Sequence, residues 1–320
     1  MNVKCNILTT FIMVFVFLSK SHAQIAINDY KNIFIPMCNL KGELKIAIRS
    51  YFSNNDMNYL LVDPVTLATE TDKAVNLSHK NSLKDNQSGC FTTKELENTN
   101  YFKALKTYSS PPYLLQNYGL THSDSINGMF LSVDLCPSKR FFERDFFRRL
   151  LAIADEHHKK FPIAIAISGL WIRNHQKEFN WLIKNEKSLD ITWVNHSFSH
   201  PYFKGQPVNE NFLLIPGLDM KSEVLMTEKL LLQYNQAPSI FFRFPGLVSN
   251  EITVKELNKL GLIPVGSNAW LAKGEHPKSG SIVLIHGNGN EPAGIKIVSK
   301  LINRNINWLP LNYALSENEQ

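Results

Sequence analysis

The chain has 320 residues, 44% hydrophobic and 19% charged, with 15 Gly and 15 Pro; this ordinary globular composition excludes collagen-like, coiled-coil and largely disordered chains. The formal net charge is +6, and setting aside Lys4 and Lys20 of the N-terminal segment leaves 32 basic against 28 acidic side chains, a net of +4. That excess is scattered, with no run of five basic residues, whereas nucleic-acid binding needs a basic stripe or patch, so no nucleic-acid partner is expected.

Residues 1–23 begin with Lys4, continue through a mostly apolar stretch at 7–18, and close on Ser21, His22 and Ala23 before Gln24. A basic start, a short apolar middle and a small-x-small end are the layout of a secretory signal peptide. As a helix the apolar part would rise about 18 Å, against a hydrocarbon core of roughly 30 Å. The longest later apolar stretch, 161–172, is broken by Ser168 and Gly169. The expectation is an exported protein, periplasmic or extracellular, with no stable membrane span; an uncleaved anchor is the alternative.

Export bears on the cysteines. Cys5 leaves with the signal, so Cys38, Cys90 and Cys136 remain and one must be unpaired. An oxidising compartment and a shared N-terminal location favour a Cys38–Cys90 disulfide, with three buried free thiols as the alternative. Cys136 is read as packing.

From 24 to 125 the chain is rich in Asn, Ser, Thr and Lys, with strand-like pieces at 44–51 and 59–62 and polar stretches at 69–80 and 84–100. Pro111, Pro112 and a turn cluster at 121–127 follow. This reads as a small accessory module or an irregular extension of unknown function. From 126 to 320 the pattern is regular. Strands are predicted at 128–134, 162–168, 191–195, 239–244, 262–267, 281–286 and 308–311. Helices are predicted at 142–158, 172–187, 221–234, 251–260 and 292–302. Such alternation is the pattern of βαβ units in an α/β fold with a parallel sheet or barrel.

In such folds functional residues collect where strands end. Asp134 ends the first strand, His196 and His200 follow 191–195, Arg243 ends 239–244, and His286 ends 281–286. Two His four residues apart on a helical turn can reach one ion, and imidazole suits Zn, Ni, Co or Fe. The pair lacks the Glu of a His-Glu-x-x-His metallopeptidase. Asp134 is a general base or a capping acid. Arg243 orients a carboxylate or makes a structural ion pair, and His286 is a proton donor or a packing His. His79, His122, His157, His158, His175 and His276 lack such context and read as solvated.

Taken in order, these residues resemble the polysaccharide deacetylase (NodB-homology, carbohydrate esterase 4-like) family over about 190 residues. The family's Thr-Phe-Asp-Asp-Gly motif falls on Ser132, Val133, Asp134, Leu135 and Cys136, followed by Pro137. His-(Ser/Thr)-x-x-His is intact from His196 to His200, and Arg-x-Pro is Arg243, Phe244 and Pro245. A Trp-bearing stretch falls on Ser267, Asn268, Ala269 and Trp270, and the strand ending in His closes on His286.

The resemblance implies a distorted (β/α) barrel that removes acetyl groups from N-acetylated sugars of a polysaccharide or oligosaccharide; the protein itself is expected to be a monomer. It implies a divalent metal on His196 and His200, zinc first, with cobalt or nickel as alternatives. Asp134 would be the base, Arg243 its orienting partner and His286 the acid. Pro245, Asn268 and Trp270 would contact substrate. The sequence departs from the pattern at Leu135, which cannot coordinate where the family has its second acid, and at Asn268-Ala269, where another acid is absent. Asp134 could then bind the metal itself, or His196 and His200 could hold it with extra water. The remaining alternative is a catalytically inactive glycan-binding module.

Overall fold

The computed structural model describes residues 24–78 and 90–316, so residues 1–23, expected to be a signal peptide, and His79 lie outside the described residues. The N-terminal region is more ordered than its polar composition suggests. Strands β1 (Asn28–Asn39), β2 (Leu44–Ser53), β3 (Asp56–Val62), β4 (Thr69–Lys73) and β5 (Leu77–Ser78) form one antiparallel sheet in the order β4-β3-β2-β1-β5. Asn54 and Asn55 turn β2 into β3 with φ of 52° and 67°. Left-handed backbone at both central residues is what a two-residue hairpin requires, and Asn tolerates it. Helix α1 (Thr93–Glu97) opens on a capping box of Thr92 and Glu95, and α2 (Asn100–Thr107) follows. Cys38 and Cys90 are joined as a disulfide, as the sequence suggests, and Cys136 is free and buried.

Then come β6 (Phe130–Leu135), α3 (Arg144–Glu156), β7 (Phe161–Ile167), α4 (Gly169–Asn174), α5 (Gln176–Lys184), β8 (Leu189–Asn195), α6 (Met220–Gln233) and β9 (Phe241–Phe242). The chain continues through α7 (Glu251–Lys259), β10 (Ile263–Pro264), β11 (Ala269–Trp270), β12 (Ile282–His286) and α8 (Pro292–Leu301). All seven strands pair in parallel, in the order β10-β9-β8-β7-β6-β12-β11.

Laid flat, strands about 4.8 Å apart would separate the two edges by roughly 29 Å. Yet the edges β10 and β11 are joined by residues 265–268 alone, and the Cα steps from Pro264 to Ala269 span at most about 18 Å. The sheet must therefore curl until its edges approach. The result is the expected distorted (β/α) barrel, closed by a loop. Residues before the barrel help seal it: the amide of Leu120 donates to Pro264 O, and Gly266 donates back to Leu120 O. Gly119 permits this approach, because a Cβ there would lie 2.3 Å from Pro264 O.

Each face of the barrel sheet has its own partner. Leu131, Val133 and Leu135 of β6, with Ile163, Ile165 and Ile167 of β7, pack against Phe146, Phe147 and Leu150 of α3. The alternate positions, Phe130, Ala164 and Ala166, pack inward against Ile46, Ile48, Leu60 and Val62 of the antiparallel sheet and Tyr101 of α2. Burial on both faces explains the continuous apolar sequence of β7.

Three local expectations need correction. The single helix at 172–187 is two, α4 and α5. Ser168 caps the first by accepting from the Trp171 amide, and His175 breaks it by stacking on Trp171 and hydrogen-bonding Ser138 O at 2.8 Å. His175 is thus half-buried and engaged rather than solvated. The strand at 308–311 reduces to one bridge, Trp308 with Met129, because Pro310 has no N–H to extend the ladder and a 3-10 turn follows at Leu311–Leu315. Residues 269–270, not anticipated as a strand, form β11.

A buried ion pair ties the antiparallel sheet to the barrel. Arg49 of β2 donates from Nε and Nη2 to the carboxylate of Glu228 on α6, at 2.7 and 2.9 Å. Nη1 reaches Asn32 Oδ1 and Leu260 O, while Tyr30 donates to Glu228 at 2.8 Å. Both side chains are fully buried. Removing one partner of such a pair strands the other charge, so Glu228→Gln is expected to cost about 3–5 kcal/mol in urea unfolding. Arg49→Met/Glu228→Leu should cost clearly less; equal losses would contradict this account.

Candidate functional site

Strand parity decides which side chains reach the barrel interior. In β6, Leu131, Val133 and Leu135 face the helices, so Ser132 and Asp134 face inward. Cys136, of the same parity just past the strand, joins them. Leu135 is fully buried in the helix-side core. The position where the resemblance expects a second acid is therefore turned away from the site.

Asp134 is held by Arg243, whose Nη1 donates to Oδ1 at 2.6 Å. The same buried guanidinium donates to Ser132 Oγ at 2.9 Å, Gly266 O at 2.9 Å and Val265 O at 3.5 Å. A buried arginine needs such an acceptor set. It also fixes Asp134 so that only Oδ2 is left to face the site.

The spacing of His196 and His200 predicts a helical turn, but the structure has a bend. Ser197 and His200 have φ of 61° and 46°, left-handed conformations that cost non-glycine residues about 1–3 kcal/mol each. Surrounding groups hold them there. Asn195 Oδ1 accepts from the Ser197 amide at 3.0 Å, and Ser197 Oγ accepts from the His200 amide at 3.1 Å. Glu223 of α6 accepts from the amides of Phe198 and Ser199 at 2.9 and 2.8 Å, and from Ser199 Oγ at 2.6 Å. The two rings converge, with centroids 4.7 Å apart.

His196 Nδ1 lies 2.7 Å from the carbonyl oxygen of Arg243. A carbonyl can only accept, so Nδ1 carries a proton and Nε2 is the ring atom that faces inward. That Nε2 is 3.4 Å from Cys136 Sγ and 3.7 Å from Asp134 Oδ2. His200 Nε2 is buried without a hydrogen-bond partner. Cys136, His196 and His200 each offer a donor atom within 4.8 Å of the other two, as do Asp134, Cys136 and His286. An oriented ring nitrogen, an orphaned nitrogen and a sulfur converging in this way fit a divalent ion of intermediate softness.

His286, the last residue of β12, stands beside Asp134 in the ladder. Its Nδ1 is 2.8 Å from Glu291 Oε2, close enough for an ion pair although the angle lies outside hydrogen-bond geometry. Glu291 also accepts from Trp270 Nε1 at 2.8 Å, and Lys273 Nζ covers the Trp270 ring at 3.6 Å from its centroid. Trp270 is half-buried, Asn268 is half-buried with Oδ1 unpartnered, and Pro245 is buried at the start of a 3-10 turn. Of the three residues assigned to substrate contact, Pro245 offers no free surface. Trp270 lines a cleft of about 140 Å³ with Asn117, Ser267, Lys273 and Glu275. Larger hollows of about 530 and 480 Å³ lie away from these residues, so the site is located by its side chains.

Burial pushes the Cys136 thiol up, but His200 and then His196 outweigh it and hold the thiol well below its usual range. The His200 ring is raised despite burial, chiefly by Cys136. His286 is likewise opposed by burial, yet Cys136 and Glu291 push it up to about 11. Glu291 moves in the opposite sense, lowered by His286 against its own burial.

Asp134, Arg243, His196, His200 and His286 thus come together as the sequence predicts. Cys136, which the sequence reads as packing, is buried and faces inward beside His196. Sequence reasoning missed the supports. Glu223 and Glu291 stand in or beside helices with no motif. Asn288, two residues after His286, donates to Cys136 O at 2.9 Å.

Residues 28–102 match a family model described as the RP012 protein N-terminal domain. In overall structure the chain is similar to a family 4 carbohydrate esterase from Bacillus anthracis, at 19% identity and a TM-score of 0.46, covering 67% of this chain and 91% of that one. It is also similar to the chitin deacetylase of the fungal pathogen Colletotrichum lindemuthianum, at 13% identity, TM-score 0.45, and 64% and 95% coverage. A family 4 pseudoenzyme from Bacillus anthracis matches at 16% identity, TM-score 0.41, and 61% and 66% coverage. The likeness is one of fold.

His286 has a folded-state pKa raised from the ordinary 6.5 to about 11. Its protonated form therefore contributes stability that is complete below about 6.5 and lost as pH rises through about 11. Neutralising Glu291 as Glu291→Gln removes one partner of the imidazolium, so the His286 midpoint is expected to fall in an NMR titration of the ring Cε1–H. A midpoint unmoved by the substitution would contradict the assigned partner.

Proposed function

We propose that the protein is an exported, metal-dependent deacetylase that hydrolyses the amide of N-acetylated sugars in a polysaccharide or oligosaccharide. The observation that carries this reading is the convergence of His196, His200, Asp134, Arg243 and His286, drawn from four strand ends, at one inward-facing site. The Cys38–Cys90 disulfide and the signal-like residues 1–23 support export. No helix among the described residues is long and apolar enough to cross a membrane.

A divalent ion on His196 and His200, with zinc the first choice, supplies polarisation of the amide carbonyl and a water of lowered pKa. Asp134 is poised as the base. Because Arg243 occupies Oδ1, Oδ2 is the atom that accepts the proton of the attacking water. His286 carries its proton across neutral pH and is poised to donate it to the departing amine nitrogen. Glu291 keeps that ring charged and oriented, and Trp270 lines the approach for the sugar.

A second reading has one specific observation in its favour. Leu135 stands where the resemblance expects a metal-binding acid and is packed into the helix-side core. On this reading the barrel is a catalytically inactive glycan-binding module. Acetate release from N-acetylated oligosaccharides separates the two. Asp134→Asn and His286→Ala are each expected to lower kcat by about 10²–10⁴-fold without loss of fold. Absence of acetate release by the zinc-, cobalt- or nickel-supplemented wild-type protein, with glycan binding that survives His286→Ala, would favour the binding module.

A further inference from the structure

We infer that Cys136 is a protein ligand of the metal, so that the site is a Cys-His-His centre built from Cys136, His196 and His200. The inference deepens the deacetylase reading and rests on its metal-binding histidines. The resemblance offers a glycine at this position and an acid at the one before it. This chain has exchanged both, and the exchange moves the third donor by one residue.

Geometry carries the argument. Leu135 faces the helices while Cys136 faces the barrel interior, where its Sγ lies 3.4 Å from His196 Nε2. In a tetrahedral site with Zn–S near 2.3 Å and Zn–N near 2.05 Å, a sulfur and a nitrogen ligand stand about 3.5 Å apart. The observed Cys136 Sγ to His196 Nε2 distance therefore matches one edge of such a site. His196 is oriented by its Nδ1 bond to Arg243 O, so its Nε2 points at that edge. The third donor is independent of both. His200 Nε2 is buried with no hydrogen-bond partner, and the three donors lie within 4.8 Å of one another. Backbone contacts hold the sulfur in place, since Asn288 Nδ2 donates to Cys136 O at 2.9 Å.

A thiolate with two imidazoles is a soft donor set. It selects zinc or cobalt over magnesium, calcium and manganese, which prefer oxygen. Three protein ligands leave the fourth position open, as a catalytic centre requires. The fixed carboxylate of Asp134 stands beside the set, with Oδ2 3.7 Å from His196 Nε2.

Cobalt(II) binding to the purified protein tests this without reference to activity. One equivalent is expected, with a thiolate-to-cobalt charge-transfer absorption in the near ultraviolet. Cys136→Ser should abolish that absorption and weaken zinc in chelator competition at least about tenfold, the scale on which ligand-shell losses are felt. Cys136→Asp should bind cobalt without the absorption. Zinc should also protect Cys136 of the wild-type protein from iodoacetamide, a readout that survives if the variants fail to fold. One bound cobalt without the charge-transfer band, and unprotected Cys136, would overturn the sulfur ligand while leaving the histidine pair intact. No cobalt or zinc bound at all would overturn both this inference and the metal-dependent reading beneath it.

Discussion

The buried guanidinium of Arg243 is the constraint on which the barrel and its site both depend. Its donors end on Asp134 and Ser132 of β6 and on the carbonyls of Val265 and Gly266, the link that brings the two edges of the sheet together. Its own carbonyl accepts from His196 and so fixes the ring that faces the interior. A charge taken out of water must find this many partners to be tolerated. Satisfying it here brings together the strand carrying the acid, the loop closing the barrel and the bend carrying both histidines. The same residue that permits closure thereby aims the site.

The antiparallel sheet has a comparable role on the inner face. An open parallel sheet buries its outer face against helices, but its inner face also needs cover. Ile46, Ile48, Leu60 and Val62 provide that cover against the small side chains Ala164 and Ala166, and Arg49 with Glu228 locks the two layers together. The N-terminal region is thus joined to the barrel through a shared core. The His196–His200 bend carries backbone strain of its own, where Asn195 and Glu223 hold two non-glycine residues in left-handed backbone.

Much of this was legible in the sequence because its causes are local. Alternating apolar strands and amphipathic helices marked the α/β region, and the strand-end residues Asp134, His196, His200, Arg243 and His286 could be singled out before any coordinates. The unread parts depend on distant contacts. Nothing near Asn28 or Thr69 signals a strand, since β1 and the mostly exposed β4 are defined by pairing with β2 and β3. The break at His175 depends on Ser138, far along the chain. Strand parity alone places Cys136 on the same side as Asp134, while Leu135 turns to the helices. Glu223 and Glu291, which hold the histidine bend and His286, carry no motif and become visible only in three dimensions.

The most direct test of this account is a crystal structure of the zinc-soaked protein with anomalous data collected at the zinc edge. The account predicts one strong peak at ligand distances of about 2.0–2.1 Å from nitrogens of His196 and His200 and about 2.3 Å from Cys136 Sγ. Asp134 should remain paired with Arg243. A zinc peak elsewhere, or no peak between these three side chains at saturating zinc, would contradict it.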